Sequence, residues 1–384
     1  MIYRKKHIDA LREYIKDEGA TIIAITGEKG IGKTTFLEMC ESSDIFWKKS
    51  EYAHIHLTPE SNIDTLDIKK GIHFLILDSE KNIDIADIRA IIDSYSSELR
   101  VIFTSESEVN DAWVLYYKLP TVGLREYLEH ENGDIQISDI LAGNIDIQNL
   151  NKHRDIYLSH GGFPAHLLGD TSIYGDFDNK RTIIKQELYE KEYQAFDTYL
   201  RTIAMNVGNL FKADQIAKLL DISRRKVNKY TELILEHHLV EAIGPWVQNT
   251  TTETSRHVKL YFTDLAYMKA ILWDVHAEWA MRQWAIENMM FLELKKKLED
   301  THALYFYRKK SGSEITFIAE NSENTLLTPM VITTRATDAI PQSLKVFDDE
   351  YHDRVERYMI FNDTKSSMTD LSGLPLMILP HIGI

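Results

Sequence analysis

The chain has little cysteine, little positive charge and no long apolar run. A single cysteine, Cys40, stands in 384 residues, so no internal disulfide can form, which suits a reducing compartment. Cys40 falls in an apolar helical stretch and reads as core filler. No apolar run approaches the roughly 20 residues that a membrane helix needs, so no membrane partner is expected. The basic start Met1 to His7 leads into an amphipathic pattern, Ile8, Leu11, Tyr14 and Ile15, without the apolar core of a signal peptide. A cytoplasmic location is expected. Lys and Arg number 44 against 59 Asp and Glu, a net charge of −15 and a pI near 5.5. That balance argues against broad coating of nucleic acid and leaves room only for local basic patches.

What is present begins at Thr21. An apolar strand, Thr21 to Thr26, feeds the loop Gly27-Glu28-Lys29-Gly30-Ile31-Gly32-Lys33-Thr34-Thr35, and helix formers follow. Gly27, four residues, then Gly32-Lys33-Thr34 is the P-loop spacing in its strand-loop-helix context. Gly27, Gly30 and Gly32 let the backbone wrap so that successive N–H groups face phosphate oxygens. The helix start at Lys33 adds its positive dipole end. Lys33 is expected at the β- and γ-phosphates, and the Thr34 hydroxyl on a bridging Mg2+; Thr35 is a further candidate. ATP with Mg2+ is the expected ligand pair.

At this length two to four modules are expected. Tyr52–Leu57 alternates as a strand, and Gly71 to Asp78 reads as a buried strand ending in a carboxylate. On its own such an ending is routine; after a P-loop, Asp78 is the expected second metal ligand at the carboxyl end of a parallel strand. The next strand, Arg100 to Ser105, ends in hydroxyls, and Thr104 or Ser105 is a candidate to orient the attacking water. Trp113 to Leu119 would complete a five-stranded parallel sheet covered on both faces.

Leu119-Pro-Thr-Val-Gly-Leu-Arg-Glu-Tyr-Leu128 and Tyr157-Leu-Ser-His-Gly-Gly-Phe-Pro164, together with the P-loop, resemble the Pro-Leu-Ser-Phe-x-Glu-Tyr and Gly-Gly-aromatic-Pro segments of bacterial and archaeal AAA-type ATPases. The likeness is to members related to the archaeal ATPase and STAND groups that are fused to a C-terminal domain of unknown function. The resemblance implies a nucleotide-binding ATPase module, a helical lid over residues 136–200, and possible homo-oligomers. Two departures stand out. Family members carry Asp-Glu at the end of the second motif, where this chain has Asp78-Ser79 and the first acid is Glu80. Successive strand side chains face opposite sides, so Glu80 serves as base only where the backbone has left the sheet. The family's Gly-Arg before its Pro-Leu-Ser segment is also missing, which leaves Arg125, Arg154 and Arg181 as finger or sensor candidates, each with a structural alternative.

Ala213 to Val240 has a helix-turn-helix rhythm. Ile216, Leu219 and Leu220 line one helix, Ser223 caps the next, and Val227, Tyr230, Leu233 and Ile234 repeat at helical spacing. A wing is expected between Val247 and Tyr261. Arg224, Arg225, Lys226 and Lys229 are the candidate DNA contacts, a solvated face being the bland reading.

From Trp279 the pattern of a long helix, three strands, a helix and a strand resembles the restriction-endonuclease-like module of the same family, with Tyr305 to Phe317 like its signature. Phosphodiester cleavage on such a core needs an Asp, then a Glu-x-Lys one strand later. Thr316 stands at the Asp position and Ile332 and Thr334 at the others, so no nuclease activity is expected. Glu287, Glu293 and Glu314 read as structural acids. Lys295, Lys296 and Lys297 with Arg308, Lys309 and Lys310 form a candidate patch for an acidic protein partner, against a solvated face.

The expected fold class is therefore α/β: a P-loop NTPase parallel sheet with a helical lid, a winged helix and a degenerate restriction-endonuclease-like α/β domain. The expected boundaries are 1–135, 136–200, 201–275 and 276–384. The expected function is an ATP-binding, AAA-type switch with slow hydrolysis, in which Lys33, Asp78, Glu80 and Thr104 act. The alternatives are an ATP-modulated DNA-binding regulator and an inactive nucleotide-binding scaffold.

Overall fold

Ile22–Thr26 (β1) is buried along its whole length, so apolar cover is needed on both of its faces. On one, Ile23 and Ile25 pack with Ile8, Leu11 and Ile15 of Lys5–Lys16 (α1) and Phe36, Leu37 and Met39 of Lys33–Ser42 (α2). On the other, Ile22 and Ala24 meet Ile88, Ile91 and Ile92 of Ile85–Tyr95 (α3). Each aliphatic side chain so buried contributes about 1.5–3 kcal/mol before ordering costs. Cys40 sits in the first cluster, and burial pushes its thiol up to about 12, a core role rather than a reactive one.

The computed structural model describes residues 2–16, 21–43, 52–58, 60–61, 63, 66, 68–79, 83–95, 98–106, 111–169, 173–249, 251, 257–274, 278–298, 301–334, 339–363 and 366–383. Tyr52–Leu57 (β2), Phe74–Ser79 (β3), Arg100–Ser105 (β4) and Val114–Lys118 (β5) join β1 in a sheet of order β2-β3-β4-β1-β5. Every pairing is parallel. A five-stranded parallel sheet of this kind is consistent with a P-loop NTPase core. The chain forms two compact units: Met1–Val122 with Phe163–Leu168, and Gly123–Gly162 with Gly169–Ile384. The short helix Pro164–Leu167 (α7) thus belongs to the first.

The second unit starts with helices Leu124–Asn132 (α4), Ile137–Ala142 (α5), Ile147–His160 (α6), Ile173–Lys185 (α8) and Tyr193–Ala204 (α9). Ala213–Leu220 (α10) and Arg224–Glu236 (α11) follow, with Ser223 Oγ accepting the Lys226 N–H at 3.3 Å to cap the latter. Val240–Ile243 (β6) pairs antiparallel with Lys259–Phe262 (β7). The first strand of this pair lies earlier than the Val247 start expected from the sequence. The reason is that Gly244 and Trp246 exchange backbone hydrogen bonds with Phe306 instead.

Leu265–Ile271 (α12) and Glu278–Leu298 (α13) precede a six-stranded sheet. Its strands are His302–Arg308 (β8), Glu314–Asn321 (β9), Leu327–Ile332 (β10), Tyr358–Asn362 (β11), Ser367–Leu371 (β12) and Leu374–Pro380 (β13), in the order β12-β13-β11-β10-β9-β8. Gln342–Tyr351 (α14) connects β10 to β11. The closing hairpin β12–β13 is absent from the sequence reading. Ser372 and Gly373 at its turn both take positive φ, 53° and 86°, the conformation of a tight two-residue hairpin.

Candidate functional site

Parallel pairing brings the carboxyl ends of β1, β4 and β3 to one edge of the sheet: Thr26 is level with Ser105, and Leu77 with Phe103. Loops at that edge are where ligands bind in open α/β sheets. The chain leaves β1 into the glycine loop. A Cβ on Gly27 would come within 2.9 Å of the Leu119 carbonyl oxygen, so only glycine fits this approach. Gly32 stands at the start of α2 with φ 87°, and a Cβ there would meet Pro164 at 3.5 Å.

Lys29 and Gly30 are exposed, Glu28 is half-buried, and Ile31 is buried with its N–H on the Glu28 carbonyl. Thr34 is exposed and Thr35 half-buried at the start of α2. Lys33 folds back over the loop, its Nζ donating to the carbonyl oxygens of Gly27 at 2.7 Å and Glu28 at 3.0 Å. Burial lowers the pKa of this ammonium, while the carboxylates of Glu106, Asp78 and Glu28 oppose the shift, in that order.

Asp78, next to last in β3, is almost wholly buried, at 3% exposure. The Thr104 hydroxyl donates to its Oδ1 at 3.1 Å, and His56 Nδ1 lies 3.2 Å from its Oδ2. Thr104 in turn accepts the Ser79 N–H at 2.8 Å. Thr104 thereby links the tips of β3 and β4 and sets the angle of the carboxylate. Glu80 lies outside the described residues.

Two partners in this cluster were missed in the sequence. His56 is directly opposite Asp78 in the β2–β3 register, a relation that appears only once the strands pair. Glu106 follows β4, and its significance depends on β4 lying between β1 and β3. Among the described residues no three His, Cys, Asp or Glu side chains converge as a metal cage. The donors at this edge are a hydroxyl, Thr34, and a carboxylate, Asp78. These oxygens fit Mg2+, which takes one or two protein ligands and completes its shell with phosphate and water.

Most of the other candidates have partners within the second unit, while Arg225 is exposed. Arg154 is 1% exposed and pairs with Asp363 at 3.1 Å and Asp155 at 3.0 Å, a structural role. Arg125 bonds Glu129 one helical turn on at 2.6 Å, and Arg181 lies 3.4 Å from Asp178. Of the four cations at the start of α11, Arg224 faces Asp214 at 3.3 Å, and Lys226 and Lys229 both face the buried Glu192, at 3.8 and 3.5 Å. Lys295 pairs with Glu241, Arg308 with Glu314 and Lys309 with Glu350, while Lys310 donates to the Thr251 carbonyl at 2.7 Å.

The three acids read as structural, Glu287, Glu293 and Glu314, each have partners. Lys259, 1% exposed, sits 2.6 Å from Glu314 and 3.5 Å from Glu287. Glu293 accepts the N–H groups of Leu124 at 2.7 Å and Arg125 at 3.3 Å, capping α4 from α13. Thr316 Oγ1 accepts the Ile332 N–H at 3.2 Å and so ties β9 to β10.

The Gly-Gly-Phe-Pro segment also has a physical reason. The Gly162 N–H bonds the buried Asp264 carboxylate at 2.9 Å, and the same carboxylate caps α12 through Ala266 at 2.8 Å. A Cβ on Gly161, whose φ is 76°, would lie 2.2 Å from Asp264 Oδ1.

A family model described as a domain of unknown function (DUF8612) matches residues 151–274, from within α6 to just beyond α12. No curated protein matches the chain. Among solved structures, the Hsp104–ADP complex of S. cerevisiae is 14% identical with a TM-score of 0.32, covering 62% of this chain and 39% of that one. This chain therefore spans well under half of the Hsp104 chain's length. Drosophila ORC bound to DNA is 10% identical, TM-score 0.22, covering 73% of this chain and 86% of that chain. Cdc6p from Pyrobaculum aerophilum is 11% identical, TM-score 0.23, covering 73% and 94%. Likeness this slight assigns no function, and the chemistry is argued from the loop and its neighbours.

Proposed function

We propose that the first compact unit binds ATP with Mg2+ and works as a nucleotide-dependent switch with slow hydrolysis. The observation that carries this reading is the folded-back Lys33: its ammonium is held inside the glycine loop by two carbonyl oxygens rather than extended into solvent. Phosphate oxygens arriving in the loop replace those neutral carbonyls with anionic acceptors, which bind the ammonium more strongly. The loop amides and the start of α2 add donors of fixed direction. Thr34 and Asp78 would hold the Mg2+, which when bound neutralises phosphate charge. Thr104 holds the Asp78 carboxylate in position.

Arg154 is committed to Asp363 and Asp155, which leaves it without a role at the γ-phosphate. The test is equilibrium binding of a fluorescent ATP analogue with Mg2+ to wild type and Lys33→Ala. Removing a charge-assisted phosphate contact worth about 1.5–3 kcal/mol weakens binding by about 10- to 100-fold. Equal affinity in the two proteins, or none in either, overturns the reading.

A further inference from the structure

If ATP is hydrolysed, a group must take the proton of the attacking water. Position 79 cannot: Ser79 carries no carboxylate, and its N–H is committed to Thr104. The edge of the sheet offers another acid. β4 lies between the strand that leads into the glycine loop and β3, which carries Asp78 near its end. The Gly27 N–H donates to the Ser105 carbonyl at 3.2 Å, so the chain leaves β4 at the mouth of the loop. Glu106 is the first residue beyond it, exposed and without an ion-pair partner within 4.0 Å among the described residues. Its charge acts on the Lys33 ammonium more strongly than those of Asp78 and Glu28.

An unneutralised carboxylate at the rim of a polyphosphate site repels the ligand and costs affinity. Chemistry is where that cost is offset, because a base contributes in the transition state rather than in the bound ground state. We propose that Glu106 is the carboxylate that orients the attacking water and accepts its proton, an assignment that rests on the ATP-binding reading above. As the water oxygen bonds the γ-phosphorus, one water proton passes to a Glu106 oxygen. The bond from the γ-phosphorus to the bridging oxygen breaks, and its electron pair leaves with ADP. The proton then passes from Glu106 to solvent, which restores the carboxylate and leaves ADP, phosphate and one proton as products.

The assignment predicts opposite effects on binding and turnover. Glu106→Gln removes both the repulsion and the base, so ATP·Mg2+ binds as tightly as to wild type or more tightly, while kcat falls by about 10²-fold or more. Glu106→Ala loses turnover likewise, and added formate restores part of it by supplying a carboxylate, a response that a merely structural role would not give. Wild-type kcat in Glu106→Gln, or a wild type that binds ATP and never turns it over, overturns the assignment and leaves the ATP-binding reading intact. Failure of that reading is distinguished by equal nucleotide affinity in wild type and Lys33→Ala.

Discussion

The glycine-loop edge of the parallel sheet and the region where β7, α13 and β9 lie in the second unit both carry lysines, carboxylates and threonines, but they use them differently. Among the described residues at the first, Lys33 bonds only carbonyls of its own loop, Thr34 is exposed, and Glu106 has no counter-ion within 4.0 Å. At the second, Lys259 is enclosed by Glu314 and Glu287, Glu293 caps a helix, and Thr316 holds a neighbouring strand. Residue type alone does not separate a site from a scaffold. What separates them is whether each charge already has its partner within the chain.

Four measurements sharpen or break that contrast. The largest effect is expected at Lys259. Glu314→Gln removes the nearer carboxylate from an ammonium with 1% exposure, which should cost about 3 kcal/mol in urea unfolding. Adding Lys259→Met to that variant should restore most of the loss, and failure to do so would show that the pair is not what holds the region. Glu293→Ala comes next. It leaves two backbone N–H groups at the start of α4 without their acceptor, a loss of about 1–2 kcal/mol by the same method. An unchanged midpoint would show that these two bonds do not hold the start of α4.

A smaller effect depends on pH. Burial holds the His381 imidazole below its ordinary pKa. Its contribution to stability is therefore full above about 6.5 and is lost as the pH falls through the folded value. Asp363 is also held low, first by its hydrogen bond with His381, so its contribution is full above about 3.9 and is lost at still lower pH. Thermal melts of wild type should weaken between pH 7 and pH 5, and His381→Asn should flatten that slope; parallel slopes would sink the explanation. The smallest stability effect belongs to the other region. Lys33→Ala should leave the melting midpoint nearly unchanged, because the Lys33 ammonium bonds only two carbonyls of its own loop among the described residues.

Much of the first unit was legible in the sequence because its signals are local. Gly27, Gly32 and Lys33 are set by spacing, and the apolar runs ending at Asp78 and Ser105 mark strands by themselves. The electrostatics were not legible. His56 meets Asp78 across a strand pair, Lys226 and Lys229 meet Glu192 from more than 30 positions away, and Glu106 matters only because of strand order. The exposed basic face read at α11 thus has partners contributed by distant segments. The β12–β13 hairpin was missed although Ser372-Gly373 is a turn signal, because neither strand alternates apolar and polar residues regularly.

The division of the chain has a practical consequence for dissecting it. Phe163–Leu168 belongs to the first unit although forty residues of the second precede it, from Gly123 to Gly162. An expression fragment that stops at Val122 therefore omits Pro164, the residue whose ring stands against Gly32 of the glycine loop. Such a truncation would report on a damaged module, and supplying the missing hexapeptide, by co-expression or by a short artificial bridge, is the way to isolate the unit with its own parts.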